Sequence, residues 1–87
     1  MSRDEFIKLC IENGNEFKEA NKCDGWSADY DGVYVYGKPY TQENGNKYTP
    51  YLRVSNFSNN SQYVRDNGYC CNRNDNWIKK ELLSYVY

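Results

Sequence analysis

Asp31-Gly32-Val33-Tyr34-Val35-Tyr36-Gly37-Lys38 decides the fold. Valine alternating with tyrosine has the two-residue period of a β-strand, placing Val33 and Val35 on one face and Tyr34 and Tyr36 on the other. The Asp-Gly pair ahead of it accepts positive φ cheaply, as a tight hairpin turn demands. One apolar face and one polar-aromatic face indicate a sheet covered on a single side.

Outward from this stretch, Asx-Gly pairs recur at Asp24-Gly25, Asn44-Gly45 and Asn67-Gly68. They set off strand candidates at 26–30, 33–38, 48–56 and 62–65. A two-residue turn at Asp31-Gly32 pairs Tyr30 with Val33 and Ala28 with Val35. Closure of 39–50 about Asn44-Gly45 pairs Val35 with Val54 and Tyr36 with Arg53. Cross-strand partners share a face, and the two registers agree. Trp26, Ala28, Tyr30, Val33, Val35, Leu52 and Val54 fall together; Ser27, Asp29, Tyr34, Tyr36, Lys38, Tyr51, Arg53 and Ser55 fall opposite. Pairing Val64 with Val54 adds Tyr63 and Arg65 to the polar-aromatic face. Pro50 lacks an N–H, so the third strand is expected to begin at Tyr51.

Helices flank the strands. Ser2 and Glu5 have capping-box spacing, and Phe6, Ile7, Cys10 and Ile11 recur at helical intervals. Phe17 and Ala20 continue that stripe, predicting one helix to about residue 21 with a weak point at Gly14. Near the other end, Asn74 or Asp75 caps a helix carrying Trp77, Ile78, Leu82, Tyr85 and Val86. The expected fold is α+β, a single small domain over 1–87. It has an N-terminal helix, an antiparallel meander of three to four strands and a C-terminal helix, with both helices on the valine face.

At 87 residues and 10.3 kDa such a domain buries only about 60–65% of the surface its unfolded chain exposes. Its aliphatic core is thin, and aromatic packing must supply much of the burial. Net charge is −1, too small to attract nucleic acid or an anionic membrane globally. The distribution is less even: residues 1–32 hold four basic and eight acidic side chains, residues 33–87 seven basic and four acidic.

The absence of histidine removes the commonest general base near neutral pH. No G-x-S-x-G, phosphate-binding glycine loop or C-x-x-C occurs. Asp24, Asp29 and Asp31 depart from a calcium-loop pattern, and turn formation explains two of them. Neighbouring Cys70 and Cys71 seldom bond each other; with Cys10 and Cys23 they read as reduced, buried structural thiols. The chain is therefore expected to be no enzyme and to carry no cofactor and no metal. A start at Met-Ser-Arg-Asp-Glu without an apolar run predicts a cytoplasmic protein with no membrane segment.

Tyrosine and arginine dominate binding hot spots, because they combine rigid contact area with a polar handle. Tyr34, Tyr36, Lys38, Tyr51, Arg53, Tyr63 and Arg65 are thus the candidate binding residues, although tyrosine also sits comfortably on plain solvated sheets. The expected partner is a protein. Usage rich in Asn, Tyr, Lys and Ile suggests an AT-rich genome, hence a phage or mobile-element product inhibiting a host or defence macromolecule. The alternative is a nucleic-acid-binding module that stacks bases on the same face. A homo-oligomer using the face on itself is the third reading. An acidic patch (Glu12, Glu16, Glu19, Asp24) reads as a solvated helix face.

Overall fold

A computed structural model describes residues 1–19, 32–66 and 70–87. Helix α1 (Arg3–Asn13) leads into β1 (Glu16–Glu19), then β2 (Val33–Tyr36). A small hairpin, β3 (Tyr40–Thr41) and β4 (Lys47–Tyr48), precedes β5 (Tyr51–Ser58), β6 (Ser61–Arg65) and β7 (Cys70–Arg73). Helix α2 (Asp75–Leu83) closes the fold. Among the described residues the main sheet has the order β1-β2-β5-β6-β7 with every pair antiparallel, a meander of five strands where three to four were expected.

Both helices pack on the valine face. Phe6 and Cys10 of α1 and Ile78 and Leu82 of α2 are fully buried against Val33, Val35, Leu52, Val54 and Val64. No helix among the described residues is long and apolar enough to cross a membrane.

Helix α1 starts where its sequence signals: the Ser2 hydroxyl accepts the Glu5 N–H at 3.1 Å. It ends eight residues earlier than the apolar stripe implies. Gly14 adopts φ 78°, and the Gly14 and Asn15 N–H groups close back on the Ile11 and Cys10 carbonyls at 3.2 and 2.8 Å. This is a Schellman stop, and Phe17 beyond it faces the core from a strand. Gly14→Ala is expected to cost about 1 kcal/mol, because a Cβ is disfavoured in that left-handed conformation; urea unfolding measures it.

Both edges of β2 are occupied, by β1 and by β5. Val33 therefore pairs with Glu19, and Val35 with Phe17, in place of Tyr30 and Ala28. The candidate strand 26–30 itself lies outside the described residues. On the other edge Val35 meets Leu52, and Tyr36 meets Tyr51, a two-residue shift from the expected register. A shift of two preserves faces, so the division into valine and tyrosine sides survives. The Val54–Val64 pairing and the start of β5 at Tyr51 are as expected.

Strand β5 carries one extra residue. Ser55 opposes Tyr63 but Ser58 opposes Ser61, and Asn56 sits at φ 51° between them. This bulge turns Phe57 toward the helices, where its ring lies 5.5 Å from that of Phe6.

A buried polar knot fastens the helices to the sheet. The Met1 ammonium donates to the Ser58 carbonyl at 2.8 Å, Gln62 Oε1 at 3.3 Å and Asp75 Oδ1 at 2.7 Å. Gln62, fully buried, also donates through Nε2 to the Arg73 carbonyl at 2.7 Å. Each end of the amide is thus satisfied, the condition under which a buried glutamine is tolerated. Asn15 donates to the Leu82 carbonyl at 2.9 Å, tying the α1–β1 junction to α2.

Candidate binding face

With the helices on one side, strand alternation sends a second set of side chains to the other. The register aligns Lys18, Tyr34, Arg53, Arg65 and Cys70 in a row across all five strands. Glu16, Tyr36 and Tyr51 form the row on one side of it. Ser55, Tyr63 and Asn72 form the row on the other. Six of the seven candidates thus share one sheet face. Lys38 does not belong to the ladder: β2 ends at Tyr36, and Lys38 is exposed beyond it.

The tyrosines form a cluster. Tyr34 and Tyr36, two residues apart, hold their rings nearly parallel at 6.4 Å, and Tyr34 meets Tyr51 at 6.3 Å. All three are half-buried, so their rotamers are restrained before any partner arrives. Ordering costs on binding, about 0.5–1.5 kcal/mol per mobile side chain, are correspondingly reduced.

The β3–β4 hairpin extends this cluster. Tyr40 and Tyr48 are cross-strand partners with rings in an edge-to-face arrangement at 5.6 Å. The Tyr48 phenol is raised above its ordinary pKa by burial first, and then by its neighbours Tyr51, Tyr40 and Asp66. Neither Tyr40 nor Tyr48 was among the expected residues. Their equal spacing about Asn44, the centre of the turn, was the available signal. Gly45 at φ 85° completes that turn.

On the far side of the face, Tyr63 lies among Cys70, Arg53 and Arg65. A hydrogen bond with the Cys70 side chain raises the Tyr63 pKa first and burial adds to it, while the two guanidinium charges pull it down. Cys70 and Asn72 belong to β7, which the sequence reading missed. Cys70 and Cys71 point to opposite faces, the first exposed and the second half-buried against the core. Cys70 is therefore not the buried structural thiol expected. Cys23 lies outside the described residues.

Cys10 does behave as a core thiol. Burial pushes it from its ordinary value of 9.0 up to about 12. An unfolded chain releases this proton near 9, whereas the folded chain keeps it to about 12. The associated stability is thus complete below pH 9 and is lost as pH rises across that window. Alkaline urea unfolding should decline more steeply for the parent protein than for Cys10→Ala.

The acidic patch expected on the first helix is dispersed. Glu12 pairs with Lys8 along α1, Glu19 meets Arg3 at 2.8 Å, and Glu16 accepts the Tyr87 hydroxyl. Asp24, like Asp29 and Asp31, lies outside the described residues. Among the described residues no group of three or more His, Cys, Asp or Glu side chains gathers to hold a metal ion. A cleft on the helical side, lined by Met1, Glu5, Lys8, Leu9, Glu12, Asp75 and Lys79, mixes charges of both signs.

No family model, curated protein or solved structure matches this chain.

Proposed function

We propose that this protein is a non-enzymatic, stoichiometric binder that docks on a protein partner through the open tyrosine–arginine sheet face. The observation carrying this reading is the Tyr34–Tyr36–Tyr51 cluster flanked by Arg53 in the same register. Semi-exposed, mutually braced aromatics beside arginine are what interface hot spots are made of. In this reading the activity is inhibition of a host or defence macromolecule in the cytoplasm, and usage rich in Asn, Tyr, Lys and Ile supports a phage or mobile-element origin.

Affinity capture from bacterial lysate, with and without nuclease, tests this. A defined protein is expected to persist after nuclease treatment, in a one-to-one or two-to-two complex that blocks its activity. Light scattering on the purified complex gives the stoichiometry. Recovery of nucleic acid, lost with nuclease or moderate salt, would transfer the face to the nucleic-acid alternative. Catalytic turnover by the purified protein alone would overturn the binder reading.

A further inference from the structure

We infer that the three acceptors around Met1 form a site specific for a free α-ammonium, so that N-terminal processing of this protein keeps Met1 and leaves its amine bare.

The ammonium has three N–H donors and meets three acceptors from separate elements. These are the Ser58 carbonyl at the end of β5, Gln62 Oε1 on β6 and Asp75 Oδ1 at the start of α2. Donors and acceptors match one for one, the condition under which a charge is tolerated away from water. Met1 is 5% exposed and belongs to the core, and Gln62 is 0% exposed. The bond to Asp75, at 2.7 Å, is an ion pair as well as a hydrogen bond.

An acylated or extended Met1 would keep one N–H and no charge. Two of the three acceptors would then lose their donor, and the Asp75 carboxylate its counter-ion. Removing one partner of a buried pair is strongly destabilising, because the other is left uncompensated. Two clefts open beside Met1; Glu5 borders both, while Lys8, Glu12 and Lys79 border one and Phe57 and Asn59 the other. Added atoms therefore have room, and the site selects by donor count and charge rather than by space.

Removal of Met1 is no substitute. Ser2 is small, the kind of second residue behind which aminopeptidases readily excise methionine. Excision here would delete a core side chain and set the new amine one residue, about 3.8 Å, along the chain from its acceptors. A formyl group on Met1 has to leave instead: water cleaves the formyl C–N bond, formate departs, and the freed amine takes up a proton. A leader would have to be cut immediately ahead of Met1.

The test compares the full-length chain beginning at Met1 with the same chain extended by Gly-Ser ahead of Met1, each with and without Asp75→Asn. The extension is expected to lower the melting temperature by about 10 °C. Asp75→Asn should lower it clearly in the unextended chain and much less in the extended one, since the two changes break the same pair. Equal melting temperatures with and without the extension would overturn the inference, as would losses that simply add. Intact mass spectrometry of untagged protein made in bacteria is expected to show Met1 present with its amine unmodified. A folded product of parent stability that lacks Met1, or that keeps a formyl group, would also overturn it.

Discussion

Truncating Tyr36 and Arg53 together to alanine is expected to weaken the partner complex by about 100-fold or more while leaving the fold standing. Both side chains project from the face opposite the core, and neither belongs to the buried cluster. Tyr36 braces the Tyr34 ring, and Arg53 sits where three strands bring Tyr34, Tyr63 and Arg65 together. Their removal takes away contact area, a hydrogen-bonding fork and the bracing of a second ring. Circular dichroism and a urea midpoint close to the parent value should accompany the loss of binding. If the double variant unfolds instead, the face is core and its docking role fails.

Phe6→Ala is the variant expected to harm the fold most, by about 3–5 kcal/mol. Phe6 is fully buried, the largest such side chain of α1, and its ring packs 5.5 Å from Phe57. Phe6 and Cys10 are the buried residues of α1, with Ile7 and Leu9 partly buried against the same core. Against a typical total of about 5–15 kcal/mol, that loss removes much of the stability of so small a domain. A fall in melting temperature of about 15–30 °C is the expected readout. Phe6→Leu should recover part of it, because the cavity left is smaller although the ring contact with Phe57 is still lost.

The parts of this architecture legible in the sequence are those where one physical signal dominates. Val33-Tyr34-Val35-Tyr36 alternates so cleanly that the faces came out right even with a register two residues off. The period of a strand protects facing but not pairing. Asn74 caps α2 as anticipated, its side chain accepting the Trp77 N–H at 2.9 Å. Where two signals compete, the sequence misleads. Phe17 continues the helical stripe of Phe6 and Cys10, yet a left-handed Gly14 overrides periodicity and sends Phe17 into β1. Strand β7 was invisible because Cys-Cys-Asn-Arg has no β-branched residue. Tertiary contacts hold it: Cys71 packs on the core, and the Arg73 guanidinium lies 4.9 Å above the Trp77 ring.

The candidate site was legible to a similar degree. Strand parity alone placed Tyr34, Tyr36, Tyr51, Arg53, Tyr63 and Arg65 together. Lys38 was lost because β2 stops short of it, where the Gly37 N–H bonds the Pro50 carbonyl at 2.9 Å. Tyr40 and Tyr48 were missed because a two-residue strand pair carries no periodic signal of its own. Cys70 and Asn72 went unseen with the strand that bears them.

The most direct test of the docking face is hydroxyl-radical footprinting of the tyrosines in the captured complex, read residue by residue against the protein alone. Tyr34, Tyr36, Tyr51 and Tyr63 are predicted to gain protection, while Tyr85 and Tyr87 beyond α2 keep their reactivity. Protection confined to α1, α2 and the residues following them, with the sheet tyrosines unchanged, would contradict the account and place the partner on the helical side.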